Sequence, residues 1–279
     1  MDLEEYRRTS HQTWAAMAPG WERWREQLAE GAGPVRRWLI RELAPRPGDT
    51  VLELSCGPGD AGFEVASTLG DEGQLISSDF ASEMVDLARR RSAELGLRNV
   101  VCRLIDAERN DLETDSVDGV ICQSGYMLMA DPGAALGETR RVLRPGGRLA
   151  LSVWGAPERN PWASIGAKVL VEQGHIAPPE PGAPGIFSMA SEERTRRLLG
   201  EAGFANVRTE EVPMGFTFGG IDDYVKWVMD VAGPFAVVVR GLSEPDREAV
   251  KARLGEEFAP FEGAGGYTLP GVALTAVAS

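Results

Sequence analysis

The sequence is poor in the residues that build metal centres and disulfide frames. Its 279 residues include three cysteines and two histidines. Cys56, Cys102 and Cys122 are odd in number and each lies in or beside an apolar run, so they read as reduced core or near-site thiols. No Cys-x-x-Cys and no histidine pair at metal spacing occurs, and no metal is expected. Long apolar runs are missing as well; none approaches the ~20 residues that cross a bilayer. The opening Met1-Asp2-Leu3-Glu4-Glu5 is charged and has none of the apolar character of a secretion signal. These absences lead to the expectation of a cytoplasmic protein without membrane insertion. Basic residues are outnumbered 29 to 42 by acidic ones, for a formal charge of −13, which disfavours nucleic acid and anionic membrane surfaces as partners. There is no internal repeat, and no low-complexity segment beyond the Pro/Gly/Ala stretch at 177–185.

The chain is long enough to bury a full core, and one stretch organises it. Val51-Leu52-Glu53-Leu54-Ser55-Cys56-Gly57-Pro58-Gly59-Asp60 is a short apolar run that ends in a glycine turn, with a helical pattern opening at Ala61. Such a strand–turn–helix unit brings a ligand against bare backbone. Gly57, Gly59 and Gly62 satisfy G-x-G-x-x-G, and Asp79 lies near the distance expected of a ribose-binding acid in a dinucleotide site. A diphosphate, however, needs N–H donors and little negative charge. Pro58 removes a donor from the turn, while Glu53 and Asp60 place carboxylates on both sides of it. The loop suits a ligand with positive charge, and S-adenosylmethionine carries a sulfonium, an ammonium and a ribose diol without phosphate.

These residues resemble the first motif of class I S-adenosylmethionine-dependent methyltransferases, in the branch related to ubiquinone and menaquinone biosynthesis. Ser55 stands where that family most often has its first glycine. Ser78-Asp79-Phe80-Ala81-Ser82-Glu83-Met84 looks like the second motif. Asp106-Ala107-Glu108 with Ser116-Val117-Asp118-Gly119-Val120 looks like the third and fourth, and Arg141 to Gly147 resembles the helix–turn before strand five. The resemblance covers about 45–155 well, and 185–213 and the last strand more loosely.

Along the chain, residues 3–28 read as helical, with Trp14, Met17, Trp21 and Trp24 on one stripe and Pro19-Gly20 expected to break or kink it. A second short helix spans 35–43. Strands are expected at 50–55, 73–78, 100–105, 117–122 and 148–154, with helices at 60–69, 81–95 and 133–143 between them. That alternation means α/β, a doubly wound parallel sheet with right-handed crossovers, whose ligands sit outside the carboxyl ends of the strands. Beyond Trp154 come a helix at 162–173, the Pro/Gly/Ala connection, a helix from Ser191, strand six at 206–212, the segment 221–231, a helix at 245–258 and a last strand at 272–277. The expected organisation is an N-terminal helical lid at 1–44 and a cofactor core at 45–155. A lid loop with helices and strand six follows at 156–213, then a helical cap inserted at 214–268. A final strand at 269–279 completes a Rossmann-like sheet of seven strands.

The resemblance and the chemistry together imply site residues. Asp79 would accept both ribose hydroxyls, Asp106 the adenine amine and the Ala107 N–H the ring nitrogen; Asp106 also reads as a helix-capping aspartate. Phe80 and Met84 would flank the adenine, though Met84 reads equally as core. Gln123 would offer its backbone carbonyl to the ammonium. Glu53 would order that ammonium through water or loop N–H groups, and Ser55, Gly57 and Gly59 would bring backbone against the methionine moiety. Aromatics are scarce in the middle of the chain. Of 20, only Phe63, Phe80 and Tyr126 fall within 45–150. The rest flank the core, as packing or as the wall of a pocket for an apolar or aromatic acceptor; Trp14, Trp24, Tyr126, Met127, Trp154, Phe187 and Trp227 are the candidates. His175 is a possible base or a surface histidine, and Tyr126 could orient an acceptor hydroxyl. The run Gln123-Ser124-Gly125-Tyr126 lacks the Asn/Asp-Pro-Pro-aromatic pattern of enzymes that methylate bases. The expected activity is methyl transfer from S-adenosylmethionine to oxygen or carbon of a phenol-, quinol- or polyketide-like molecule, by a monomer or homodimer. An NAD-dependent oxidoreductase and a non-catalytic S-adenosylmethionine-binding module are the alternatives.

Overall fold

A computed structural model of the chain describes residues 3–178 and 183–279, so residues 179–182 of the proline-rich connection lie outside the described residues, as do Met1 and Asp2. The chain opens with three helices, α1 (Leu3–Arg23), α2 (Arg25–Gly31) and α3 (Gly33–Leu43). Then come β1 (Thr50–Glu53), α4 (Asp60–Leu69), β2 (Gln74–Asp79), α5 (Ser82–Glu94) and β3 (Val100–Leu104). β4 (Val117–Gln123), α6 (Pro132–Val142) and β5 (Leu143–Trp154) follow. The last part holds α7 (Pro161–Glu172), α8 (Glu192–Glu201), β6 (Arg208–Phe218), α9 (Ile221–Val231), α10 (Pro234–Gly241), α11 (Glu244–Phe258), β7 (Glu262–Gly263) and β8 (Gly266–Ala278).

Local chemistry explains the element starts. Asp131 accepts the Ala134 N–H at 3.0 Å with Pro132 in the first turn of α6, and Ser191 and Ser243 cap α8 and α11 in the same way. The strands of the core are apolar on both faces because both are covered: Val51 packs into the core on one side of the sheet and Leu52 into the core on the other.

The sheet order is β3-β2-β1-β4-β5-β8-β6, with the short β7 beside β8. The pairs from β3 through β5 are parallel, while β8 runs antiparallel between β5 and β6. The strand order therefore reverses between β1 and β4, and that is where a doubly wound sheet opens a crevice at its carboxyl ends. No helix among the described residues is long and apolar enough to cross a membrane.

Three points of the sequence reading change. Pro19 does not break α1, which runs through it to Arg23; the interruption falls at Trp24. Tertiary packing holds the helix there, since a Cβ on Gly20 would lie 2.0 Å from the Asp230 carbonyl oxygen of α9. β6 extends to Phe218 and β8 begins at Gly266, so both ends of the segment 214–268 are strand and the helices lie between them. α10, which Pro234 opens in a stretch left unassigned in the sequence, went unread. The main path of the sheet has the seven expected strands, with the two-residue β7 added beside β8.

Candidate active site

The loop after β1 turns through left-handed backbone at Ser55, Gly57 and Gly59 (φ 53°, 50° and 87°). This brings the Gly57 N–H within 3.0 Å of Asp79 Oδ2, while Asp79 Oδ1 accepts from the Ala81 N–H at 3.0 Å. Asp79 is thus held by backbone at the end of β2 and buried. Burial pushes its carboxyl up from the ordinary range, against the hydrogen bonds from Ala81 and Gly57 that favour the charged form.

Glu53, at the end of β1, accepts from the Gly62 N–H and from Ser77 Oγ, both at 2.6 Å. The third glycine of the motif makes this possible: a Cβ on Gly62 would stand 2.1 Å from Glu53 Oε2. Burial drives the Glu53 carboxyl up to about 7; the bonds from Ser77 and Gly62 oppose that, and the neighbouring Asp60 and Asp79 add to it. Asp60 itself is not an open negative charge, because Arg91 Nη2 lies 2.9 Å from its Oδ1. Arg91 therefore offsets the negative charge that Asp60 brings beside the loop.

Around these groups lies a cavity of about 200 Å³ at the β1/β4 switch point. It brings together Glu53, Ser55, Gly57, Asp79, Phe80, Met84, Asp106, Ala107 and Gln123, nine of the ten expected cofactor residues; Gly59 turns the loop just behind the wall, its ring neighbour Phe63 lying where a Cβ would fall. Asp106 both caps, accepting from the Glu108 N–H at 2.9 Å, and borders the cavity. Gln123 Oε1 is buried without a hydrogen-bond partner. α1 crosses this cavity, fixed at one end by Tyr6 donating to the Leu128 carbonyl at 3.0 Å and by Arg7 Nε to Glu108 Oε2 at 2.9 Å. At its other end Trp21 and Trp24 donate to Val231 O and Asp230 Oδ2, at 3.2 and 2.9 Å.

A second cavity of about 120 Å³ adjoins the first. Trp14, Trp21, Leu28, Leu128, Trp154 and Phe216 border both, together with Ser124. Beyond that shared wall the second chamber is lined by Met127, Trp162, Tyr224 and Trp227 and by aliphatic residues of α7, α9, α10 and α11. Trp162, Phe216 and Trp227 form an edge-packed cluster with centroids 5.2–5.9 Å apart. Trp14, Met127, Trp154 and Trp227 therefore border the second cavity.

The other candidates do not. Tyr126 is fully buried against Thr139, Oη to Oγ1 2.6 Å, inside the core beneath α6, and cannot meet an acceptor there. Its position after β4 carried the expectation, but the short turn Tyr126–Leu128 rotates the ring away from the strand end. Trp24 is held by Asp230 at the α1–α9 contact, with the Lys226 ammonium 5.8 Å from its ring, outside both cavities. Phe187 and His175 border neither; His175 follows α7 and its N–H closes the helix on Leu170 O. Tyr6, Arg7 and Glu108, which fix α1 over the site, went unread because their pairing spans over a hundred residues. Phe216 and Phe218 had a signal, since the i, i+2 pattern of β6 points both to one face.

The sequence matches a methyltransferase domain family over residues 45–173. It is 29% identical to the nocamycin O-methyltransferase of Saccharothrix syringae over 78% of this chain and 80% of that protein. It is also 29% identical to the demethylmenaquinone methyltransferase of Deinococcus radiodurans, over 56% of this chain and 65% of that one. The fold resembles that of a SAM-dependent methyltransferase from Aquifex aeolicus (TM-score 0.50, 23% identity, 63% of this chain and 83% of that chain). Residues 45–173 form a methyltransferase domain. The chain spans only part of several curated relatives that it matches, 39% and 53% of the length of two of them.

The cofactor that a methyltransferase domain of this fold implies is S-adenosylmethionine. The residues present fit it. A buried carboxylate at the end of β2 suits a diol, and the unpartnered Gln123 Oε1 suits a donor. Glu53 and Asp79 bring two acid groups to the loop, which burial pushes towards the neutral form and a cationic ligand would favour ionised, and Pro58 withholds the N–H that a diphosphate would seek.

Proposed function

We propose that the chain transfers a methyl group from S-adenosylmethionine to oxygen or carbon of a small apolar or aromatic acceptor, phenol-, quinol- or polyketide-like, seated in the second cavity. The observation that carries this reading is the continuity of a carboxylate-walled cavity at the strand ends with an apolar, indole-lined one through a shared wall. In the same reading α1 and α2 serve as a lid, 45–155 as the cofactor core, residues 156–213 as its connecting side with strand six, and the helices between Phe218 and Gly266 as a cap.

S-adenosylmethionine, when bound, supplies an electrophilic methyl carbon on a positively charged sulfur. The chain's own residues would bind and align. Asp79 and Asp106 hold the nucleoside end, Phe80 and Met84 flank it, and Glu53 with the Ser55–Gly59 loop sets the charge where the amino acid lies. The aromatic chamber excludes water and orients the acceptor, and proximity of this kind supplies much of the acceleration of a displacement at carbon. Among the described residues its lining contains no histidine, carboxylate or lysine, and the Tyr224 hydroxyl donates to the Trp162 carbonyl at 2.8 Å, with burial pushing its pKa up. Base catalysis from that wall has no part in the reading. His175 as a base is not carried forward.

The test is release of S-adenosylhomocysteine from a panel of phenols and quinols, beside calorimetric titration with S-adenosylmethionine and a fluorescence titration with NADH. Cofactor binding with turnover of a panel member supports the proposal. Binding of NADH in its place would overturn it, and S-adenosylmethionine binding without any turnover would favour the non-catalytic module.

A further inference from the structure

At the place where the two cavities meet, the shared wall is aliphatic or aromatic except for one hydroxyl, that of Ser124. Ser124 directly follows β4, beside the switch point, and its φ is 59°. A non-glycine residue enters that left-handed region at a steric cost, and such outliers gather at working sites. The backbone is locked there. The Ser124 N–H points at Ser152 O and Oγ, 3.0 and 3.1 Å away. Behind it, a Cβ on Gly125 would fall 2.5 Å from Ser55 Oγ and 2.6 Å from Cys122 Sγ, so the chain has no room to relax backwards.

The hydroxyl gained by this conformation is barely used within the protein. Its one contact is Ser152 Oγ at 3.5 Å, the outer limit of a hydrogen bond. Glycine would adopt the same backbone without the cost. The other hydroxyl bordering the second cavity, that of Tyr224, is committed to the Trp162 carbonyl. A strained serine with a lightly used hydroxyl therefore stands, among the described residues, as the one hydroxyl of the wall between the cofactor cavity and the apolar chamber, beside the indole N–H groups of its tryptophans.

We infer that Ser124 Oγ binds the oxygen of the acceptor and holds the neighbouring reactive atom at the junction, so that the acceptor is an oxygenated ring (phenol, quinol or enol) rather than a bare hydrocarbon scaffold methylated at a remote position. This rests on the reading that the acceptor occupies the second cavity. Ser124 then sets both specificity and alignment, its hydroxyl offering a hydrogen bond at the junction while the unpartnered Trp227 Nε1 lies on the wall of the second chamber beyond it, in surroundings that otherwise reward apolar contact.

The experiment uses the full chain saturated with S-adenosylhomocysteine, as wild type, Ser124→Ala and Ser124→Gly. Equilibrium dialysis measures two probes of one shape, 2-naphthol and 2-methylnaphthalene. Both variants should weaken 2-naphthol about five- to tenfold and leave 2-methylnaphthalene within twofold, the fold-change of one ordinary hydrogen bond. Ser124→Gly should also melt higher than Ser124→Ala, which separates the hydroxyl from the backbone. Equal loss for both probes, no loss for 2-naphthol, or failure of both to bind the wild type would overturn the inference. So would a loss of S-adenosylhomocysteine affinity in the variants, since the residue would then serve the loop. Failure of the wild type to bind S-adenosylhomocysteine by calorimetry is a separate result, and it falls on the methyltransferase reading itself.

Discussion

Glu53 and Gly62 are packed so closely that the carboxylate occupies the place where any side chain on residue 62 would begin: Oε1 accepts the Gly62 N–H at 2.6 Å and a Cβ would meet Oε2 at 2.1 Å. One contact ties the end of β1 to the first turn of α4 and fixes the loop that carries Ser55 and Gly57. Gly62→Ala should therefore expel the carboxylate from its partners, lowering stability by about 1–3 kcal/mol through overpacking and two lost hydrogen bonds. Thermal denaturation checks this, and an unchanged melting temperature would show that the loop can shift freely.

The same carboxyl makes stability depend on pH. Folded, Glu53 holds its proton to about pH 7, whereas its ordinary value is 4.5. The folded chain keeps a proton that the unfolded chain has lost, so this contribution is full below the ordinary value and falls away as pH rises through about 7. On the order of 3 kcal/mol is at stake between those limits. Glu53→Gln should flatten the denaturant midpoint of the cofactor-free chain across pH 5–8, and a variant with the wild-type slope would exclude Glu53 as its source.

Cofactor affinity should move the other way with pH. A cationic amino-acid end favours the ionised carboxylates of Glu53 and Asp79, so S-adenosylmethionine should bind more tightly at pH 8 than at pH 6, by roughly tenfold, if it requires the charged form of Glu53. Calorimetry at the two values decides it; tighter binding at pH 6 would put the wrong sign on the site.

Asp79→Ala should weaken S-adenosylmethionine by about 1–3 kcal/mol, the loss of a charged acceptor's hydrogen bonds, together with the freed Gly57 and Ala81 N–H groups. Asp79→Asn separates the two contributions, since its one carbonyl oxygen retains part of the contact. Equal affinity in wild type and Asp79→Ala would remove Asp79 from the ribose.

Arg7→Ala tests the hold of α1 over the cavity. Its ion pair with Glu108 is partly exposed and should contribute less than about 1 kcal/mol to global stability. Hydrogen exchange in α1 should nonetheless quicken, and S-adenosylhomocysteine should dissociate faster in stopped flow. Unaltered exchange would mean that the tryptophan end alone fixes the helix.

Much of the cofactor half was legible because its signals are local. The glycine run, the carboxylate closing β2 and the Asp106-Ala107-Glu108 turn each sit within a few residues of the strand end that positions them, and a period-two or 3.6 pattern fixes those ends. The acceptor half was read less well. Tyr126 and Met127 are adjacent, yet a single short turn sends one into the core and the other to the chamber wall, and no pattern in the sequence announces that turn. Trp24 shares the stripe of Trp14 and Trp21 only while α1 is unbroken; the interruption at Trp24 rotates it toward Asp230. The partner of Asp60 went unread for a similar reason, Arg91 arriving from the next helix.

The place of β8 in the sheet has a consequence for how the molecule assembles. Trp154 on β5 pairs with Ala273 on β8, and the chain between them holds α7 to α11. Strands β1 to β4 can find their neighbours through short crossovers, but the wall carrying Trp154, Phe216 and Trp227 waits for that long closure, whose entropy cost precedes any reward. The nucleoside-holding part should thus acquire protection early during refolding, while the indole cluster stays wet until the last hairpin slots home.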